Sequence, residues 1–317
     1  MSASNQSDNA KRIYYFSPTL TEGGKSLRDI LGSKGANLAE MTSIGLPVPP
    51  GFIITTQCCA EYQSNGGKLP TGLMDEVRGY LQRLESETGK TFGTGTNTLL
   101  VSVRSGAAIS MPGMMDTVLN LGLTETSVAG LARATRNQRF ARDALRRLIH
   151  MFGAVVMNVP HGEFESALTV IKKKFNVVHD TELGVAGLTE LIDAYRRVYR
   201  KHTRQPFPDD PLQQLEQAIE AVFRSWSTPR AVAYRRIQNI RGLLGTAVNV
   251  QTMVFGNMGN DSGTGVAFTR DPTSGANEFY GEFLINAQGE DVVAGIRTPQ
   301  PVADMSRWKP DIYKGLI

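Results

Sequence analysis

A chain of 317 residues is long enough for one large core or two smaller ones, and 41% apolar with 20% charged residues is ordinary for a globular protein in water. The net charge of +4 is compatible with an anionic ligand, but the basic residues are scattered and form no stripe with interleaved aromatics, which argues against nucleic acid. No run of about 18 apolar residues occurs, so no membrane span is expected.

Met1 to Ala10 is polar, lacks the apolar stretch of a secretory signal and reads as a disordered tail over residues 1–10. The adjacent Cys58 and Cys59 suit packing in a reducing compartment, and cytosol is the default location. A strand over 12–16 precedes a helix over 29–44, which Gly45 ends and Pro47, Pro49 and Pro50 keep from resuming. Residues 51–55 read as a strand, 72–86 as an amphipathic helix, and 99–104 as a buried strand entering a Gly/Ser/Ala-rich loop. Helical periodicity then dominates over 137–157, 163–174, 187–202 and 211–225, with Lys172, Lys173 and Lys174 on a solvated face. From Thr246 strands return at 247–255, 263–269 and 279–285, and they read as antiparallel. Partial segregation of strands and helices implies an α+β fold with lobes. The expected division is an α/β subdomain over 11–122, a helical insertion over 123–245 and an antiparallel subdomain over 246–317.

Several residues could carry chemistry. Lys34 lies in Gly32-Ser-Lys-Gly-Ala-Asn37, a small-residue turn opening a helix, where N–H groups and an ammonium favour phosphate. The spacing is not that of a Walker loop, and a solvated helix-start lysine is the alternative. Arg104 ends an apolar strand, and its planar fork could bind phosphate or pair with a structural carboxylate. In Ser110-Met-Pro-Gly-Met-Met-Asp-Thr117, Asp116 could orient a cation and the methionines could be core filler. The backbone at Gln251 could address an adenine edge while Met253 packs on its face. The stretch from Gly256 to Gly265, with Gly263 and Gly265, could be a phosphate lid or a plain hairpin turn. Glu282, Glu290 and Asp291 could hold Mg²⁺ or stand as surface acids. His150, His161, His179 and His202 lack metal-ligand spacing and read as structural or surface residues, and no metal ligand is assigned.

Taken in order, GSKGANLAEM at 32–41, LPVPPGF at 46–52, VSVRSGAAISMPGMMDTVLNLG at 101–122 and LINAQGEDVVAGIRTPQPV at 284–302 resemble pyruvate, phosphate dikinase from about residue 11 onward. The MPGMMDT segment resembles that family rather than phosphoenolpyruvate synthases or glucan water dikinases. The resemblance implies an ATP-grasp nucleotide-binding domain that uses ATP and Mg²⁺. It implies phosphoryl transfer through an enzyme histidine to phosphate and pyruvate. It also implies that Lys34 and Arg104 are the phosphate-binding pair, Gln251 and Met253 the adenine side, Gly263 and Gly265 the lid, and Glu282, Glu290 and Asp291 the acidic set.

The family closes this domain with a strand pair bearing Asp-x-Glu and then Gln-x-Arg, and no such pair follows residue 302. The phosphohistidine domain and pyruvate-binding barrel of the family are not matched either. The expectation is therefore an amino-terminal ATP-binding portion that stops early, with a partial site, weak ATP affinity and an exposed sheet edge. A free-standing nucleotide-binding module without catalysis is the alternative reading, and a fragment of a phosphoenolpyruvate synthase-type dikinase ranks below it.

Overall fold

A computed structural model describes residues 11–293 and 297–317, so the tail expected over 1–10 lies outside the described residues. In chain order the elements are β1 (Ile13–Phe16), α1 (Arg28–Ser43), β2 (Gly51–Ile54), α2 (Thr56–Ser64), α3 (Leu73–Thr88), β3 (Thr91–Phe92), β4 (Thr98–Leu99), β5 (Val101–Gly106) and β6 (Thr117–Leu121). Helices α4 (Glu125–Thr135), α5 (Gln138–Met151), α6 (His161–Lys174), α7 (Val185–Thr203), α8 (Pro211–Ser225) and α9 (Pro229–Ile237) follow. Then come β7 (Ala247–Thr252), β8 (Gly263–Phe268), β9 (Tyr280–Ile285), α10 (Gly289–Val293), β10 (Gln300–Pro301), α11 (Met305–Trp308) and α12 (Pro310–Leu316). The fold is mixed helix and sheet, antiparallel but for the short parallel pair β3–β4, as the α+β expectation has it.

The chain forms two compact units, one of residues 1–134 and 141–253 and one of residues 135–140 and 254–317. In the first, five strands pair in the order β1-β2-β7-β5-β6, each antiparallel to its neighbour. Successive side chains on a strand point to opposite faces, and here the two parities differ in chemistry. Val101, Val103, Val248, Val250 and Phe52 share one face and are fully buried. Phe52 packs there against Tyr80 of α3, ring centroids 5.9 Å apart. The other parity carries Ser102 and Arg104 on β5, and Ala247, Asn249 and Gln251 on β7. Ile53 and Ala247 on this second face join Leu31, Ala36 and Leu38 of α1 in a buried cluster.

Helix α1 breaks at Gly32, whose φ of 69° and ψ of 167° are not helical. The helical path restarts at Ser33, whose N–H donates to the carbonyl of Ala107 at 2.9 Å. A Cβ on Gly32 would fall 1.7 Å from the carbonyl oxygen of Gly106, and one on Gly35 2.9 Å from the Asn249 amide oxygen. Only a glycine permits both the left-handed φ and this backbone contact. The helix restart that carries Lys34 is thereby locked to the end of β5.

Helices 4 to 9 occupy the stretch expected to be helical, and α4, α9 and the short α2 add to those that periodicity picks out. Pro-led starts cap α8 and α9: Asp210 accepts from the Leu212 N–H at 2.9 Å, and Thr228 accepts from the Ala231 N–H at 3.4 Å. Cys58 and Cys59 on α2 are free and buried, and burial pushes the Cys59 thiol up to about 11. Packing is their role here, as their sequence context implies.

The strand at 247–252 departs from the expectation that it pairs with the strand following it. Its six residues are all buried, so it runs as a central strand between β2 and β5. In the second unit β8 pairs with β9, and β9 with β10. Strand β8 is an edge of this sheet and its residues are largely exposed. Residues 135–140 join this unit through the Asn137 amide, which donates to the Met258 carbonyl at 2.7 Å, and through an edge-on contact of Phe140 with Phe255.

Gly32→Ala is expected to destabilise the chain by about 3 kcal/mol or more, combining backbone strain with overpacking. Gly45→Ala shares the positive φ of 86° but has nothing within 4 Å of the added Cβ. It should cost only about 1 kcal/mol. Urea denaturation of the two variants and the parent checks the contrast.

Candidate functional site

Arg104 leaves β5 on the face that carries Asn249 and Gln251. In the β5–β7 register Arg104 stands opposite Asn249, and Gln251 is its diagonal neighbour. Its Nη2 donates to the Gln251 Oε1 at 2.7 Å, while the Gln251 Nε2 donates to the Pro49 carbonyl at 3.0 Å. Asn249 donates to the Arg104 carbonyl at 3.3 Å. The Arg104 Nε is buried with no hydrogen-bond partner among the described residues. Burial lowers its pKa, and no carboxylate lies within ion-pair distance of it among the described residues. The guanidinium is thus held in place by an amide, which leaves its charge uncompensated.

Lys34 adds a second uncompensated cation. Its pKa is lowered first by burial of the ammonium and then by the Arg104 charge, although the side chain as a whole reaches solvent. Two like charges brought out of water beside one another favour an anion between them. A cleft of about 280 Å³ opens beside Lys34, lined also by Ser33, Ser105, Gly106 and the turn Ser110–Gly113; Arg104 is not among its lining residues. The helix restart at Ser33 adds first-turn N–H groups and the positive end of a helix dipole. The surroundings suit a polyanion such as a phosphate chain.

The other expected site residues divide. Asp116 does not orient Lys34 or Arg104: burial raises its pKa, and Arg230 and Arg224 are the charges that oppose the rise. Met111 is buried core, whereas Met114 and Met115 are half-buried. Gln251 is not an adenine-edge backbone, because β2 and β5 pair with it on both sides and its side chain is engaged with Arg104 and Pro49. The Met253 N–H is likewise taken by the Leu100 carbonyl at 2.9 Å. Strand β7 ends at Thr252, so the ladder takes the peptides of Gln251 and Thr252, whereas the Met253 carbonyl and Val254 lie beyond the strand.

Gly263 and Gly265 are not in a loop either, but in β8, opposite Ile285 and Phe283. A Cβ on Gly265 would lie 2.6 Å from the Glu282 carbonyl, and one on Gly263 would press on Trp308 at 3.2 Å. Close strand and ring approach explains these glycines. The loop itself is the preceding stretch 254–262. Glu282, Gly263, Gly265 and Trp308 line one cleft of about 380 Å³ in the second unit. The Asp291 Oδ2 accepts from the Gln288 N–H at 2.8 Å at the start of α10, so one of its oxygens is committed locally. The side chain of Glu290 lies outside the described residues.

Residues 28–67 and 65–309 match the family model described as pyruvate phosphate dikinase, AMP/ATP-binding domain. The chain belongs to that family. It is 55% identical over 307 residues to pyruvate, phosphate dikinase 1, chloroplastic, of Arabidopsis thaliana, covering 97% of this chain and 32% of that protein. The figures for pyruvate, phosphate dikinase, chloroplastic, of Flaveria pringlei are the same. Pyruvate, phosphate dikinase 2 of Zea mays is 54% identical over 308 residues, covering 97% of this chain and 35% of that protein. The chain thus spans about a third of the length of the curated relatives it matches.

Within this dikinase domain, the alternation of polar and apolar residues in Val101-Ser-Val-Arg104 and Val248-Asn-Val-Gln251 was a signal for a strand pair with one polar face. Sequence spacing carried no sign that the two segments, more than a hundred residues apart, are partners.

Gln251→Ala should destabilise the chain by about 1–3 kcal/mol, because the Arg104 Nη2 and the Pro49 carbonyl lose their shared partner. Denaturant midpoints check this, and Gln57→Ala, at an exposed position of α2, serves as a control expected to cost less.

Proposed function

We propose that this chain is the ATP-binding portion of a pyruvate, phosphate dikinase-type phosphotransferase, with Lys34 and Arg104 as its phosphate-binding pair. The observation that carries the reading is that Lys34, which lines the cleft, lies within the field of the buried Arg104, and neither cation has a carboxylate within ion-pair distance among the described residues. In this reading the bidentate fork of Arg104 binds phosphate oxygens and Lys34 follows the charge as it moves between them. Gln251 is a positioning residue that aims Arg104, and Gly32 and Gly106 let the helix restart approach the ligand. The overall reaction would be ATP, pyruvate and phosphate going to AMP, phosphoenolpyruvate and diphosphate. A phosphohistidine domain and a pyruvate-binding barrel are the partners it calls for.

An ATP-grasp architecture is our reading of the fold, with subdomains over 11–122 and 123–245 as expected and a third that begins after β7, since β7 pairs within the first unit's sheet. It is supported by the AMP/ATP-binding description of the family and by an antiparallel sheet in each compact unit. Glu282 is the acid of the expected set that suits Mg²⁺, being exposed in its cleft and free of partners among the described residues. Mg²⁺ takes carboxylate oxygens, which is the chemistry that Glu282 offers within the second unit. Among the described residues no helix is long and apolar enough to cross a membrane. The buried free thiols agree with cytosol as the location we propose; the Arabidopsis and Flaveria relatives are named chloroplastic.

Calorimetric titration with Mg·ATP tests the reading. Lys34→Ala and Arg104→Ala should each weaken binding by about tenfold or more, the worth of a hydrogen bond to a charged group. Unchanged affinity in both variants, or no binding by the parent chain, would overturn it.

A further inference from the structure

Outside the phosphate cleft, helices α5 and α6 bring three metal-ligating side chains together. His150, in the last turn of α5, His161, the first residue of α6, and Glu165, one turn further on, each offer one ligand atom within 4.8 Å of the others. We propose that His150, His161 and Glu165 form a binding site for a divalent cation of the zinc class, which ties the end of α5 to the start of α6.

The geometry carries the proposal. His161 and Glu165 stand at i and i+4, on one face of a helix. The Glu165 Oε1 lies 3.5 Å from the His161 Nε2, the nitrogen turned away from His150, so the carboxylate must swing toward the Nδ1 side to share an ion, a move within the 4.8 Å that spans the three ligand atoms. The His150 Nε2 lies 2.8 Å from the His161 Nδ1, with the two rings stacked at 4.5 Å between centroids. The His150 ring is also packed against Phe164 at 4.9 Å and Tyr195 at 5.5 Å, so its direction is set by the core. His161 and Glu165 are exposed, which leaves room for them to adjust and for water to complete the coordination sphere.

The chemistry follows from the donor set. Two imidazole nitrogens and a carboxylate oxygen suit Zn²⁺ and its neighbours, whereas Mg²⁺ takes oxygen ligands. A neutral imidazole has one N–H, so in the present contact one ring donates to the other. A cation needs both facing lone pairs, and each N–H then moves to the far ring nitrogen. Tetrahedral coordination at about 2.0–2.1 Å sets two nitrogens roughly 3.3 Å apart, so the rings must open by about half an ångström. The charges felt by His150 include those of Arg146 and Arg147. Those two arginines are balanced by acids: Asp143 pairs with both, and Asp180 lies 3.1 Å from Arg146. The cation would therefore not face two uncompensated positive charges.

A tie here has mechanical sense. Between the two helices the chain runs through a π-helical stretch, Phe152–Val156, and then Asn158 at a φ of 55°. A metal across His150 and His161 would close that irregular connection.

The test is titration of the whole chain with ZnCl₂ by calorimetry, alongside thermal denaturation with and without Zn²⁺. The expected result is one saturable site and a raised Tm. His161→Ala and Glu165→Gln should each weaken the site by about tenfold or more, since even outer-sphere partners of a metal contribute 10–100-fold. Both positions are exposed, so unchanged urea midpoints of the metal-free variants are expected to exclude misfolding. His202→Ala, which removes the ring 3.6 Å from Glu163 on the same helix, should leave Zn²⁺ affinity unchanged. Absence of saturable Zn²⁺ binding, equal affinity in His161→Ala, or an equal loss in His202→Ala would overturn the proposal.

Discussion

The candidate phosphate site rests on one hydrogen bond, from Arg104 to Gln251. A guanidinium taken partly out of water ordinarily finds a carboxylate, and the ion pair then cancels its charge. Here a neutral amide does the holding. The amide fixes the direction of the guanidinium while leaving its charge available to a ligand. Gln251 can serve because it sits on a central strand with its other amide end anchored to Pro49, so it cannot swing away. The five-stranded sheet thus works as a two-sided device. Its valine parity builds the core, and its polar parity carries the site a few ångströms away.

The second constraint is the approach of α1 to the end of β5. Gly32 and Gly106 meet backbone to backbone, with Asn249 wedged beside Gly35 and Gly106. Any side chain at Gly32 would push the helix restart away from the sheet. Lys34 would then lose its place at the cleft even with its own side chain intact. The small-residue composition of Gly32-Ser-Lys-Gly-Ala36 is therefore explained by packing distance before any ligand is invoked. The family's AMP/ATP-binding description and the electrostatics of this cleft point the same way.

The two glycines of β8 carry a related lesson. A glycine-rich stretch reads as a flexible lid, yet Gly263 and Gly265 are glycines because β9 and Trp308 come close to their Cα atoms. Glycine in sequence signals a missing side chain, and the reason for its absence is a matter of neighbours. Asp291 shows the same for acids: a carboxylate near a proposed metal site turns out to bond the Gln288 N–H one turn away.

Much of this protein was legible from local pattern. An apolar run marked β5, alternation marked β7, periodicity near 3.6 marked α3 and α5 to α8, and Gly45 with its prolines marked the end of α1. The ordered motifs also picked out Lys34 and Arg104 as candidates for an anion site, because residue type says which groups can bind phosphate. Strand partnership was decided only in three dimensions. Ala247–Thr252 went to the central position of the first sheet rather than to the strand after it, since an all-buried strand needs pairing and packing on every side, and only β2 and β5 supply them. That choice brought the Gln251 side chain within hydrogen-bond distance of Arg104. The meeting of His150 with His161 and Glu165 belongs to the same class: eleven residues and an irregular turn separate the two histidines, and only helix packing brings their rings into contact. Local pattern fixes what each segment can become, because it depends on nearest neighbours along the chain; which segments meet depends on burial summed over the whole fold.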